Sequence, residues 1–328
     1  MTRKIILWCP DFFNYDDLIK NELERSGYKV FLISDRPFKN KILRALTTRF
    51  PSFFSMILIP YYLRLLVRER SQYDDFFVIN GQTLSLFMIK YLKNKYKFTS
   101  TRLYFWDSIK NRPTGIKLIS EFQKTYSFDR QDCDLYNLRY RPLFYDTKYT
   151  STNQGQNKQA FTSDLVFIGT DHKDRTDIIS KIAQSHDINF EAEVYFHTRL
   201  VFFIKRFVLR WVNLASNYKR IYKPKSLFEI IAMYEKSKAV LDIHHPLQTG
   251  LTMRTIELVG MQKKIVTTNQ NVRLERFYNE DMVHVINRDD PIIPDSFLHG
   301  SRNAGFSPEV LHYYSLPAFL NEILSNDL

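Results

Sequence analysis

Short apolar runs alternating with amphipathic stretches set the rhythm of the first part of the chain. Residues 5–8 are apolar, residues 15–26 follow a helical pattern ended by Gly27, and residues 29–33 are apolar again. Residues 76–79 run into Asn80-Gly81-Gln82-Thr83 and a helical stretch over 84–93; residues 102–106 end at Asp107, and 124–128 end at Asp129. Strands alternating with helices predict a parallel sheet covered on both faces. A polar run over 147–158 reads as a linker. The alternation then restarts with a strand over 164–168 ending at Gly169, a helix over 174–186 and a strand over 190–196. A helix over 226–236, strands over 239–243 and 264–267, and a C-terminal helix over 316–324 complete the pattern. The expected architecture is α/β: an N-terminal Rossmann-like domain over 1–150, a second over 160–310, and a tail over 311–328 packing back on the first.

The chain has 328 residues, enough for two domains that each bury a core. Phe and Tyr are abundant and Gly is scarce, which excludes collagen-like and low-complexity chains. Two cysteines, Cys9 and Cys133, supply neither a disulfide framework nor metal spacing, which fits a cytoplasmic protein. The apolar run at the N-terminus is too short for a signal peptide and reads as a first strand.

The net charge of +12 is unevenly spread. Residues 36–68 hold seven basic and no acidic residues, and residues 199–225 hold eight and none. Removing those fifteen leaves 32 basic against 35 acidic residues, so the excess belongs to two local surfaces. Both are rich in aromatic and aliphatic positions. As a helix, residues 199–211 would place Arg199, Arg206 and Arg210 on one stripe, with Val201, Ile204, Val208 and Trp211 roughly opposite. Ile42, Leu46 and Phe50 recur at helical spacing with Lys41, Arg44 and Arg49 off that line. The apolar run over 53–67 is broken by Pro60 and Arg64 and cannot span a bilayer. Such segments suit an anionic membrane face; equally, the apolar faces pack inward and the charges are solvated. No nucleic-acid recognition motif accompanies them, and nucleic acid is not expected as a partner.

The segment with the most chemistry runs from Asp242 through His244-His245-Pro246 and Gln248-Thr249-Gly250-Leu251-Thr252 to Arg254, Glu257 and Gly260. It reads as strand, polar loop and helix, followed by the 264–267 strand. A loop feeding a helix N-terminus offers free N–H groups and a positive dipole end, which suits phosphate. Glu257 follows Arg254 at i+3, where a ribose would meet a carboxylate; an ordinary junction with a surface ion pair is the competing reading. Gly169 after its strand permits a phosphate or base to approach the backbone, or is a plain tight turn. Arg175 offers a charge-assisted contact, or is a solvated arginine.

The segment from His245 to Gly260, together with Tyr104-Phe-Trp-Asp-Ser-Ile-Lys110, Tyr126-Ser-Phe-Asp129 and Asp164-Leu-Val-Phe-Ile-Gly169, resembles GT-B-fold glycosyltransferases of bacterial capsule, lipopolysaccharide and O-antigen synthesis. The resemblance implies two Rossmann-like doubly wound domains facing a central cleft, with the acceptor on the N-terminal domain and the sugar nucleotide on the C-terminal one. It implies no cofactor or metal beyond a nucleotide-sugar donor, UDP-linked in the first instance, and a lipid-linked or growing polysaccharide acceptor. Because acceptors in these pathways are commonly lipid-linked, it strengthens the membrane reading of the basic aromatic segments 36–68 and 199–225, which are expected to hold the chain at the inner face of the plasma membrane. Carried over by position, Gln248, Thr249, Gly250, Leu251 and Thr252 line the diphosphate, with Gly250, Leu251 and Thr252 as its donors, and Glu257 accepts from the ribose. Many retaining members carry a glutamate where this chain has Thr249, so the resemblance leaves the stereochemical course open.

Transfer needs a stabilised leaving diphosphate and, for inversion, a base. Arg254 is the first candidate for the diphosphate and Arg175 the second. Asp107 is the first candidate for the base, with helix capping as its alternative role; Asp11, more readily a cap, stands behind it. Of the two adjacent histidines, His245 is the candidate to face the substrate; His197 and Gln82 occupy comparable strand-end positions. Asp132-Cys133-Asp134 spells a metal-binding D-x-D pattern, but its position on a helical turn favours capping and solvation. The competing expectations are a non-catalytic nucleotide- or membrane-binding module of the same shape and a lyase or epimerase acting on a sugar nucleotide alone.

Overall fold

A computed structural model describes residues 2–11, 14–38, 40–69, 71–150, 161–171, 174–185, 187–208, 218–246, 249–300 and 305–325. The chain forms two compact units, Met1–Leu143 with Leu316–Leu328, and Phe144–Ser315. The units therefore change at Phe144 and Leu316, rather than within the polar run expected as a linker and at residue 311. Thr147–Tyr149 of that run is a 3-10 turn in the second unit, capped by Thr150, and residues 151–158 lie outside the described residues.

In the first unit the strands are β1 (Lys4–Cys9), β2 (Lys29–Ser34), β3 (Asp75–Ile79), β4 (Ser100–Phe105), β5 (Lys124–Ser127) and β6 (Arg139–Tyr140). They form one parallel sheet in the order β2-β1-β3-β4-β5-β6. Ile5–Cys9 and the whole of β3 are buried, as a sheet covered on both faces requires. The helices are α1 (Tyr15–Arg25), α2 (Lys41–Arg49), α3 (Pro51–Ile57), α4 (Ile59–Arg68), α5 (Leu86–Tyr96), α6 (Arg130–Tyr136) and, from the C-terminus, α13 (Leu316–Leu324). Buried Arg102 holds α13 in this unit: its Nε donates to the Ile323 carbonyl at 2.7 Å and its Nη2 to that of Ser325 at 3.1 Å. A guanidinium thus satisfies carbonyls that a helix C-terminus leaves without partners.

The second unit repeats the plan with β7 (Ser163–Thr170), β8 (Phe190–Tyr195), β9 (Lys219–Ile221), β10 (Ser237–Asp242), β11 (Lys264–Thr267) and β12 (Val283–Val285). This sheet is also parallel, in the order β12-β11-β10-β7-β8-β9. Its helices are α7 (Arg175–Ser185), α8 (Arg199–Phe203), α9 (Leu227–Glu235), α10 (Met253–Gly260), α11 (Asp295–His299) and α12 (Pro308–Tyr314). A capping box between Ser226 and Glu229 starts α9. The single helix expected over 199–211 is instead α8 followed by a π-helical turn, Ile204–Val208. The wider turn breaks the 3.6-residue stripe that the sequence pattern assumed. Arg210 and Trp211 of that stripe lie outside the described residues.

The far end of α10 is fixed by contact with Tyr145. A Cβ added at Gly260 would lie 2.6 Å from Cγ and Cδ2 of the Tyr145 ring, so only glycine fits there. The ring is itself anchored, its hydroxyl donating to the Leu311 carbonyl at 2.8 Å.

Candidate functional site

In the second unit the chain passes from β7 to β8 and β9 on one side, then to β10, β11 and β12 on the other. The switch point lies between β7 and β10, and ligands of open α/β sheets bind beyond the strand ends at such points. β7 ends in Gly169-Thr170 and β10 in Asp242, with Ile243 following.

Asp242 organises this end. It is 1% exposed and receives the Thr255 hydroxyl at 2.5 Å and the Thr252 hydroxyl at 3.0 Å, both on Oδ2. Its Oδ1 faces the Arg254 guanidinium at 3.6 Å. Thr252 is the N-cap of α10, its hydroxyl oxygen accepting from the Thr255 N–H at 3.2 Å. One buried carboxylate therefore sets the entry of the helix whose N-terminus the sequence marked for phosphate. The Thr252 hydroxyl, expected as a diphosphate donor, is engaged by Asp242 and the cap. Leu251 is 4% exposed, its side chain in the core.

The two candidate arginines meet around Gly169. A Cβ there would lie 3.0 Å from Cζ of Phe167, 3.3 Å from Nη2 of Arg254 and 3.4 Å from Nη1 of Arg175. Arg254 also hydrogen-bonds the Tyr234 hydroxyl and lies near Glu257. Arg175 is committed to the backbone: Nε and Nη2 donate to the Ile243 carbonyl at 3.0 and 2.7 Å, and Nη1 to the Thr170 carbonyl at 2.7 Å. Burial, reinforced by Arg254, lowers its pKa to about 10, which leaves it charged at neutral pH. It joins the ends of β7 and β10 rather than lying on the surface.

Beside this junction is a cavity of about 370 Å³ lined by residues that include His244, Thr249, Thr268, Asn269, Asn271 and Arg288. Asn271 Nδ2 donates to the Thr249 carbonyl at 2.9 Å, and Asn269 Nδ2 reaches the carbonyls of Thr249 and Gly250 at 3.3 Å each. Two side-chain amides thus fix the loop that leads into α10. Gln248 lies outside the described residues.

Of the adjacent histidines it is His244, and not the expected His245, that lines the cavity. Arg288 donates to the His244 carbonyl at 2.6 Å and approaches its Nδ1 at 3.1 Å, while Thr268 Oγ1 lies 2.8 Å from the same nitrogen. A guanidinium only donates, so Nδ1 accepts and the ring proton sits on Nε2. Burial, then repulsion from Arg288, pushes the His244 pKa down to about 4, so the ring is neutral. Arg288 is held in turn by Asp174.

Asp107 belongs to the first unit, just beyond β4. Its Oδ2 receives Arg112 Nε at 2.7 Å and Asn80 Nδ2 at 3.1 Å, and Asn80 accepts from the Trp106 N–H at 3.1 Å. Asn80 and Gly81 turn in the left-handed region, with φ of 59° and 62°. Asp107 thus sits in an ion pair braced by a tight turn. Gln82 is pinned by its N–H to Asp35 at 2.6 Å and by its side chain to the Thr47 carbonyl at 3.2 Å. Asp11 pairs with Arg44 at 3.5 Å, and exposed His197 lies against the Tyr195 ring. The D-x-D triplet is divided by α6, with Asp132 buried and accepting the Ile109 N–H at 2.7 Å and Asp134 exposed. Among the described residues no group of three or more His, Cys, Asp or Glu side chains is placed to hold a metal ion.

Asp242, Thr255, Thr268, Asn269, Asn271 and Arg288 were not singled out from the sequence. The available signals were the Thr252-x-x-Thr255 spacing behind a strand-terminal aspartate, and two asparagines at alternate positions after β11.

No protein-family model matches the chain, and no curated protein matches it in sequence. Solved structures do match its fold, which is GT-B. Anabaena Alr3699/HepE in complex with UDP-glucose superposes with a TM-score of 0.62 over 98% of this chain and 98% of its own, at 9% identity. AviGT4, a glycosyltransferase involved in avilamycin A biosynthesis, gives 0.59 over 98% and 95%, at 13% identity. An alpha-glucosyltransferase in complex with UDP and a 13-mer DNA containing a central A:G mismatch gives 0.56 over 98% and 94%, at 14% identity. At these identities the likeness is one of fold. The DNA in the last complex leaves the expected absence of a nucleic-acid partner without support.

Proposed function

We propose that this chain is a glycosyltransferase that moves a sugar from a nucleotide-sugar donor, UDP-linked in the first instance, to a lipid-linked or growing surface-polysaccharide acceptor. The observation that carries this reading is the junction of β10 with α10. There a helix N-terminus, fixed by the buried Asp242 carboxylate, stands beside a cavity of about 370 Å³ lined with amides, hydroxyls and a neutral imidazole, together with Arg288 and Asp289. That volume falls within the usual size of small-molecule sites. Neutral hydrogen-bonding groups suit the hydroxyls of a sugar, and the first N–H groups of α10 suit a diphosphate. Structural neighbours that hold UDP or UDP-glucose support the same direction.

In this reading Glu257 accepts from the ribose hydroxyls. Arg254 and the N-terminus of α10 stabilise the departing diphosphate without a metal ion, and Asp107 takes the proton of the acceptor hydroxyl. The test is calorimetric titration of the full chain with a panel of UDP-, GDP-, dTDP- and CMP-sugars, followed by incubation of the binding donor with lipid extracts. Saturable binding of one nucleotide class and transfer of labelled sugar into lipid are expected. Failure of every donor to bind overturns the reading. Binding with no transfer favours a non-catalytic module, and breakdown of donor incubated alone favours a lyase or epimerase.

A further inference from the structure

Helices α3 and α4 of the first unit are apolar on two sides. Phe54, Leu58, Tyr62 and Leu66, spaced four residues apart, form the inner stripe and lie in the core beneath. The outer side carries Phe53 and Met56, which are 60% and 70% exposed. Ile42 of α2, at 71%, and Phe50 between α2 and α3, at 53%, extend the exposed apolar surface along the chain. Sequence spacing alone allowed the 42-46-50 line to be a core face; in the structure all three positions are exposed. A folded chain rarely leaves this many large apolar side chains in water within one short segment, and such a surface marks a docking site.

The charge around it identifies the partner. Residues 36–68 contain no acidic residue. Arg49, Arg64 and Arg68 are exposed, and none of them has a carboxylate partner among the described residues. No helix among the described residues is long and apolar enough to cross a membrane, and α2, α3 and α4 have only nine, seven and ten residues. Exposed aromatic and aliphatic side chains flanked by unpaired arginines on short helices match the interface of a bilayer bearing anionic headgroups, where apolar side chains enter the acyl boundary and arginines remain at the phosphates. We propose that α2–α4 dock the protein in the plane of an anionic phospholipid surface, with Ile42, Phe53 and Met56 inserted and Arg49, Arg64 and Arg68 at the headgroups. This surface stands on exposure and charge alone and is independent of the proposed transferase activity.

The test is co-sedimentation of the full chain with vesicles of phosphatidylcholine, with and without phosphatidylglycerol. Binding is expected only with the anionic lipid and is expected to weaken with salt. Phe53→Ser with Met56→Ser, and separately Arg64→Gln with Arg68→Gln, are each expected to lower vesicle affinity about tenfold or more, since each juxtamembrane arginine adds roughly a few-fold. The melting temperature is expected to hold, because all four side chains are exposed. Equal binding by both double variants and the unmodified chain, or no preference for phosphatidylglycerol, overturns the proposal. Sedimentation as a dimer that Phe53→Ser with Met56→Ser turns into a monomer also overturns it, and makes this face a contact between copies.

Discussion

The Arg175 guanidinium donates twice to one carbonyl oxygen, that of Ile243, at 3.0 Å through Nε and 2.7 Å through Nη2. A third bond reaches the Thr170 carbonyl, so a single side chain ties together the two strand ends that flank the switch point. Its replacement by methionine keeps length and apolar bulk but strands two carbonyls. The expected cost is roughly 2–6 kcal/mol, about 1–3 for each orphaned acceptor. Urea denaturation followed by tryptophan fluorescence checks this, and a midpoint unchanged from the unmodified chain would return Arg175 to a ligand-binding role alone.

Asp242 is expected to couple to Thr255. Asp242→Asn keeps an oxygen for the hydroxyls but removes the charge that faces Arg254. Thr255→Val removes the hydroxyl and retains the shape. A double-mutant cycle on thermal stability should give an interaction of about 0.5–3 kcal/mol, the range for residues sharing a hydrogen-bond network. Strict additivity would show that the carboxylate does not organise the start of α10.

His244 should leave a signature in the pH dependence of stability. An unfolded histidine titrates near 6.5, whereas the folded ring, buried and facing Arg288, titrates at about 4. Between those values the unfolded chain binds a proton that the folded chain refuses. This contribution is therefore fully present above pH 6.5, declines as pH falls towards about 4, and is flat below that. His244→Gln retains an acceptor for Arg288 and removes the titration. The melting temperature of the variant should fall less steeply than that of the parent between pH 6.5 and 4; parallel curves would refute the neutral-imidazole assignment.

On the proposed reading, Glu257 and Asp107 divide binding from chemistry. Glu257→Ala should weaken affinity for the nucleotide about tenfold or more, through loss of charge-assisted bonds to the ribose. Asp107→Asn should leave nucleotide affinity within about twofold and lower turnover roughly 100-fold or more, the usual contribution of a positioned base. Titration beside steady-state rates separates the two. Loss of nucleotide affinity in the Asp107 variant would remove the division.

Gly260→Ala should destabilise by about 1–3 kcal/mol, since its methyl would meet the Tyr145 ring at 2.6 Å. Tyr145→Leu placed in the same chain should recover part of the loss. An alanine variant as stable as the parent would mean that the ring moves freely aside.

The alternation of strands and helices was legible because parallel strands buried on both faces write themselves as continuous apolar runs: residues 5–8, 76–79 and 239–243 all fall within or beside observed strands. The start of α10 was legible too, through Thr252 and the glycine before it. Arg175 was not, because an arginine that binds backbone carbonyls depends on no particular partner side chain and so leaves no pairing pattern. His244 and His245 were indistinguishable, since beyond the end of β10 the regular alternation of faces no longer applies. The same limit applied to the outer surface of α3 and α4. Periodicity says that a face is apolar, but only the packed neighbours say whether anything covers it.

Gly260 carries a consequence for the opposite end of its helix. α10 has eight residues, so its first turn stands about 12 Å from the Tyr145 ring. A hydrogen-bonded helix of this length transmits position like a short strut, and its far end is seated against an anchored aromatic ring with no intervening side chain to compress. On the proposed reading, the N–H groups offered to the diphosphate are thereby given an axial coordinate by a contact at the other end of the helix. Small lengthwise shifts of α10, which would alter every hydrogen bond at its mouth together, are resisted at the base of the strut, by the residue with no side chain.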